Sequence, residues 1–279
     1  MLRIFVLTLL LVCTLGGQAF GQGAAAVSAT YPPDIQKIKD RGQLVVAMLA
    51  RDLIPMFMSD SNGKLYGNDV DLAKAIADAL GVGLTFDRSA QTFNGVVDIV
   101  ASGQADIGLS ALSRTLARAE RVQFSRPYVV LRPVLILNRI SATKYNLDGS
   151  LPRMASFNGL VGAPKGNAYL DFAKKVSPKA TIVEFSDWHE TFRAVAEGRV
   201  AAIFGDEVGV KNSLVRFPEH SVELSTSPID NPAMADNLSI AVNSQSVHLL
   251  GFINLYLDMN YPTRKADDLL RIYAPYYKK

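Results

Sequence analysis

Two residues of opposite charge, Arg118 and Asp206, each stand just past the tip of a predicted strand, and they combine into the most specific chemistry this sequence offers. The segment Ala111–Tyr128 follows one of these strands and carries Ser113, Thr115 and Arg118 immediately beyond it. Gly205-Asp206-Glu207 follows the other. Gly166-Asn167-Ala168 opens a predicted helix, and the first N–H groups of a helix have no partner inside it. A guanidinium fork suits a carboxylate, and free backbone N–H groups add to it. A carboxylate suits an ammonium. Each charge-assisted hydrogen bond is worth roughly 1.5–3 kcal/mol. Several together offset the desolvation of a zwitterion such as an α-amino acid, which one lone buried charge would not achieve.

Plainer readings stand beside this one. Arg118 lies among Arg114, Arg121 and Arg126 and also reads as one cation of a solvated basic stretch, with the other three arginines on the surface. Asp206 also reads as the cap of the following helix, a role compatible with binding. Phe93 reads as partly core, and Trp188 as packing or surface. Enzyme signatures are missing. His189, His220 and His248 share no metal-ligand spacing. There is no G-x-S-x-G elbow and no H-E-x-x-H, and Gly162-Ala-Pro-Lys-Gly166 lacks the spacing of a phosphate-binding loop. Neither a metal nor a cofactor is implied.

The elements that must position these residues alternate in type. Leu44–Met48, Leu84–Phe86 and Asp106–Leu109 read as strands from their length and apolar content. Between them, helical spacing begins at Asp71 and runs to a glycine stop at Gly81, and a second helix spans Phe93–Ser102. Ser59–Gly63 reads as a hairpin or loop. The same grammar returns as strand Leu160–Gly162, helix Tyr169–Val176, strand Ala180–Phe185, helix Trp188–Glu197 and strand Ala201–Phe204. Strand–helix alternation of this kind builds parallel sheets, which bind ligands at the carboxyl ends of their strands. Val100–Ile107 echoes Val195–Ala202, each with an upstream phenylalanine, Phe93 or Phe192, so two similarly built lobes are expected. A strand Leu238–Val242, a helix Val247–Met259 and a helical tail Arg264–Tyr273 would return to complete the first lobe. The predicted lobes are 34–132 with 238–279, and 133–237. The chain then crosses between them near Arg132-Pro133 and again over Asp230–Leu238, and two crossovers make a hinge.

Composition sets the class and the compartment. With 279 residues, 49% apolar and 20% charged, the chain is of ordinary globular make-up. Its 29 basic and 26 acidic residues give +3, scattered along the chain, which points away from nucleic acid. Arg3 is the one charge before Asp34, and Ile4–Leu15 is an apolar run followed by Gly16, Gly17, Ala19 and Gly21. This reads as a signal peptide over residues 1–21, cleaved after Gly21. A membrane anchor is the competing reading, but the run is short of the ~20 residues a span needs. Cys13, the only cysteine, lies within that run behind Val12, so neither lipid attachment nor a disulfide in the mature chain is expected. Residues 22–33 read as a loose leader.

Several segments together resemble family 3 of the bacterial extracellular solute-binding proteins, the polar-amino-acid binders of ABC transporters. They are Gly67-Asn-Asp-Val-Asp-Leu-Ala, Phe93 with Gly103 and Asp106, Ser113-x-Thr-x-x-Arg118 with Phe124-Ser125-x-Pro-Tyr128, and Gly198-Arg199 leading to Gly205-Asp206-Glu207. The likeness runs from about Ile38 to Tyr276. It implies a two-lobed α/β periplasmic-binding-protein fold, each lobe a mostly parallel sheet flanked by helices, joined by two crossover hinge strands. It further implies that Arg118 holds a ligand carboxylate with Ser113 and the N–H of Ala168, that Asp206 receives the ammonium, and that Leu53 and Phe93 wall the side-chain pocket. Ala111 and Asn167 are implied as further ligand-contacting positions. The resemblance implies a periplasmic protein that partners the membrane subunits of a transporter, and a monomer is expected. Departures include Asn68 for a phenylalanine, Ala168 for threonine, Leu53 for an aromatic and Ala50 for an acid, which argue against a basic amino acid as ligand. The alternatives are a cyclohexadienyl or arogenate dehydratase on the same fold, recruiting Asp206 or Glu207 as its acid, and a non-transport periplasmic accessory protein.

Overall fold

The computed structural model describes residues 31–277; the segment expected to be a signal peptide and nearly all of the expected leader lie outside the described residues. From Pro32 onward the chain forms one compact unit, built on two five-stranded sheets. The first has the spatial order Gly83–Ala90, Gln43–Leu49, Ile107–Gly108, Ala241–Asn243, Val122–Phe124. The second has the order Thr181–Phe185, Leu160–Pro164, Ala202–Asp206, Pro133–Asn138, Leu224–Pro228.

The parallel part of each sheet is three strands, and an antiparallel pair completes it. The reason lies in where the chain enters each lobe. Pro133 pairs with Asp206 and Ala241 with Gly108, so the strands that follow the crossovers begin at the carboxyl ends of the parallel strands and run back along them. Pro133–Asn138, an unbroken apolar run through Val134–Leu137, is buried along its whole length. Its alternate residues serve two cores: Leu135 and Leu137 join Met154 and Phe204 on one face, while Val134 and Ile136 join Phe192 and Ile203 on the other. A strand buried on both faces loses the in–out alternation that marks a half-exposed one. The first sheet has a single larger core containing Leu44, Val46, Ile76, Leu109 and Leu257.

The crossovers themselves are strands. Val129–Leu131 pairs antiparallel with Asp236–Leu238 in a small sheet of its own. The single strand expected over Leu238–Val242 is therefore two. At the break, Ser239 N–H donates to the Leu112 carbonyl, and Ile240 N–H donates to the Ser125 hydroxyl at 3.0 Å. A side-chain acceptor replaces the ladder there, and the chain turns from crossover to sheet. The helix expected from Asp71 starts three residues earlier, at Asn68. Its first N–H groups, of Asn68 and Asp69, are satisfied by the carbonyls of Pro55 and Met56. Expected hairpin geometry around Ser59–Gly63 is present as Met58–Ser59 paired with Leu65–Tyr66. Among the described residues, no helix is long and apolar enough to cross a membrane.

Candidate functional site

Arg118 belongs to the four-residue helix Leu116–Ala119, whose cap is the Thr115 hydroxyl accepting Arg118 N–H at 3.2 Å. The side chain turns inward and is 5% exposed, whereas Arg114 and Arg121 face solvent. Its Nε donates to Asn94 Oδ1 at 3.0 Å, Nη1 to the Ser113 carbonyl at 2.9 Å, and Nη2 to the Gly166 carbonyl of the second lobe at 3.4 Å. Burial pulls the guanidinium down to about 10, partly countered by the carboxylates of Asp236 and Asp171. It is still a cation at neutral pH. Arg126, expected on the surface, is half-buried instead, donating to the Tyr261 and Pro127 carbonyls and pairing with Asp258.

Facing Arg118 is a carboxylate that the sequence did not nominate. Asp236 opens the second crossover strand, and Tyr169 of the second lobe donates its hydroxyl to Asp236 Oδ2 at 3.1 Å. Burial raises the Asp236 carboxyl to about 6 and the negative charge of Asp206 adds to this, while Ser113, Tyr169 and Arg118 hold it down. Asp206 stands at the end of the strand Ala202–Asp206, and its Oδ1 accepts the N–H groups of Val208 and Gly209 at 3.0 and 2.8 Å, capping the helix Glu207–Arg216. Both plain and binding readings of Asp206 thus remain available together. Burial raises its carboxyl, the two cap bonds oppose that, and Glu207 adds a smaller raising effect.

The remaining nominated residues divide. Asn167 caps the helix Ala168–Val176, its Oδ1 accepting Tyr169 N–H at 2.9 Å, so the Ala168 end of the helix is held open toward the cleft. A pocket between the lobes is lined by Asn94, Thr115, Arg118, Gly166, Ala168 and Asp171, among others. Ser113 meets the site through its carbonyl on Arg118 and its hydroxyl near Asp236. Ala111 is different: it sits at φ +48°, and its N–H is spent on the buried Asp69 Oδ2 at 2.7 Å. As an amide donor it therefore serves Asp69. Leu53 and Phe93 are half-buried against the core of the first lobe and do not line this pocket. Trp188 lies across Gly205, where a Cβ would collide with its ring, and donates from Nε1 to Ser213 Oγ at 2.8 Å. It is a packing residue beneath the Asp206 strand end. Asp236 carried one sequence signal, an ionisable residue two positions before the apolar run Leu238–Val242.

The family model for bacterial extracellular solute-binding proteins, family 3, matches residues 44–271. The chain belongs to that family. Among curated relatives, this family 3 protein is similar to an arginine-binding periplasmic protein of Mannheimia haemolytica, 26% identical over 221 residues that span 76% of this chain and 86% of that one. Among solved structures, it is similar to an amino acid ABC transporter substrate-binding protein from Streptococcus pneumoniae bound to L-arginine. The TM-score is 0.67 at 26% identity, covering 87% of this chain and 98% of that one. A reconstructed ancestral amino acid-binding protein, described as a precursor of cyclohexadienyl dehydratase, is similar with a TM-score of 0.65 at 25% identity, covering 87% and 98%. The two-lobed α/β fold of the family is the fold described above.

The lobes of this family 3 protein touch at several points around the cleft. Asn94 N–H donates to the Gly166 carbonyl at 3.3 Å, and Asn212 Nδ2 to the Ile54 carbonyl at 2.5 Å. At the crossovers, Arg132 is bound by Glu207 and Asp230, with Nε at 3.0 Å from Glu207 Oε2 and Nη1 at 3.1 Å from Asp230 Oδ1. Of these residues, Asn94 and Gly166 are also hydrogen-bonded to Arg118.

Proposed function

We propose that this solute-binding protein is a periplasmic monomer, exported through a signal peptide cleaved after Gly21, that captures a small α-amino acid between its lobes and delivers it to the membrane subunits of an ABC transporter. The lobes are 34–132 with 238–279, and 133–237. They move about the crossovers, and the ligand bridges Arg118 and Ser113 on one side to Asp206 on the other. Only the closed arrangement meets both ends of the zwitterion, so binding shifts the population toward it. The observation that carries this reading is a buried guanidinium in the lining of an interlobe pocket, with the carboxylate of Asp171 in the same lining and that of Asp236 acting on the guanidinium. The names of the similar proteins, arginine-binding and amino-acid-binding, support the ligand class.

A thermal-shift screen of the mature chain against the twenty amino acids and a few organic acids tests it, because a ligand that binds only the native state raises the melting temperature by mass action. A shift for one amino-acid class is expected. Arg118→Ala is expected to weaken it by roughly 2–5 kcal/mol in affinity, since a buried charge partner is removed. Unchanged affinity in that variant would refute the assignment of Arg118.

One observation favours a second reading. The Asp236 carboxyl, raised to about 6 in a half-buried position, is the kind of group that donates a proton near neutral pH. A dehydratase of the kind whose precursor is among the similar structures would need such a group. Incubating the mature chain with prephenate and following phenylpyruvate absorbance separates the two readings: turnover replaces the binding function, and its absence leaves binding.

A further inference from the structure

Resting on the amino-acid-binding reading above, we infer that Asp236 is a second acceptor for the ligand's ammonium, sharing it with Asp206, and that binding there is coupled to loss of a proton. The geometry comes first. A carboxylate has about four acceptor positions. Asp206 spends two, both on Oδ1, as the cap of its helix. Asp236 accepts the Tyr169 hydroxyl on Oδ2 and is also hydrogen-bonded by Ser113. Each carboxylate therefore keeps acceptor capacity, and Asp236 feels the charge of Asp206.

The surrounding charges decide what this capacity takes. Around Asp236 stand Asp206 on the second-lobe strand end with Glu207 beside it, Tyr169 on the second-lobe helix, and Ser113 and Arg118 from the first lobe. Arg118 is the cation that acts on Asp236, and its three bonds go to neutral oxygens, while Arg132 is paired with Glu207. With Glu207 paired to Arg132, ionised Asp206 and Asp236 against Arg118 leave one negative charge unmatched, and the missing counter-charge is a single cation. An α-ammonium supplies it. Without that ammonium, a proton is the alternative way to relieve the pair, which is why burial and Asp206 together raise the Asp236 carboxyl to about 6. Ammonium and proton then compete for one place. Asp236 lies on a crossover strand, so this bond also ties the ligand to the segment about which the lobes are joined.

The experiment titrates the mature full-length chain with an equimolar pool of the twenty amino acids at pH 5 and pH 7.5. It reads the rise in melting temperature over the ligand-free protein at each pH. In the wild type the apparent affinity is expected to be about tenfold weaker at pH 5 than at pH 7.5, since one pH unit below the carboxyl's own value costs one tenfold step. Asp236→Asn keeps an oxygen for the Tyr169 hydroxyl and removes the charge. It is expected to bind about tenfold more weakly at pH 7.5 and to lose most of the difference between the two pH values. Tyr169→Phe is expected to keep that difference. Wild-type affinity in Asp236→Asn, or loss of the pH difference in Tyr169→Phe as well, would overturn the role of Asp236 while leaving amino-acid binding standing. No shift with the pool at either pH in the wild type would overturn the binding reading and this inference with it.

Discussion

Asp69 shows at the scale of one residue how the site loop is held. It has no exposure, and it accepts Ala111 N–H at 2.7 Å, the Tyr128 hydroxyl at 3.0 Å and Asn68 Nδ2 at 3.0 Å. Asn68 in turn accepts the Tyr261 hydroxyl and an Arg264 N–H at 2.7 and 2.6 Å. Those bonds keep Ala111 at φ +48°, a backbone region that L-residues avoid, and Ala111 starts the turn that carries Ser113. Burial outweighs the bonds and raises Asp69 from 3.8 to about 6. A carboxyl whose value is raised on folding adds stability that is complete below its unfolded value and lost as pH rises through the folded one. Urea unfolding at pH 5 and pH 7.5 should therefore show the wild type gaining about 1 kcal/mol at the lower pH relative to Asp69→Asn. Equal pH dependence in the two proteins would show that Asp69 is not the titrating group.

Among the elements, the helix Asn68–Leu80 depends on the residue before it. Gly67 has φ +125°, and a Cβ there would come within 2.7 Å of the Met56 carbonyl oxygen and 2.9 Å of the Pro55 carbonyl oxygen. Those are the same two carbonyls that satisfy the first N–H groups of the helix. Close backbone approach and helix capping are thus one feature, and glycine is the residue that permits it. Gly67→Ala should lose roughly 2 kcal/mol or more of unfolding free energy in urea titrations, from backbone strain together with the clash. It should also displace Asp69 and so loosen Ala111. A variant as stable as the wild type would mean the loop relaxes freely, and the link from Gly67 to the site would fail.

Across the whole molecule, one contact tests the proposed lobe closure. Gly166 of the second lobe sits at φ +68°, and a Cβ there would lie 3.0 Å from Thr92 Cβ of the first lobe. Its carbonyl also receives Asn94 N–H and an Arg118 N–H. Gly166→Ala therefore opposes the arrangement in which the lobes meet, while in a separated arrangement it costs only the positive φ, roughly 1–2 kcal/mol. The expected outcome is a small drop in the ligand-free melting temperature and an apparent affinity for the amino-acid pool weaker by about tenfold, equivalent to 1.4 kcal/mol. Small-angle scattering with the pool present should give a larger radius of gyration than the wild type gives. Identical scattering and affinity would remove Gly166 from the closing contact.

Most of the alternating strands and helices were legible in the sequence, because apolar period, glycine stops and capping residues are local properties. What set Arg118 apart from its neighbouring arginines was the resemblance of Ser113-x-Thr-x-x-Arg118 to the family 3 pattern. Its burial was not legible: nothing local separates it from Arg114 or Arg121, and only the second lobe, with the Gly166 carbonyl, encloses it. The strand Pro133–Asn138 has no alternation to mark it, because it is buried on both faces, and the break at Ser239-Ile240 has no local signal, because the acceptors Leu112 and Ser125 are distant in sequence. Asp236 lies more than a hundred residues from Ser113 and Arg118 and thirty from Asp206, so no spacing rule could unite them. Their meeting depends on the pairing of the two crossover strands, which folds a remote carboxylate against the strand ends of both lobes. Local chemistry chose the elements and the family; long-range pairing and desolvation decided which charges share the cleft.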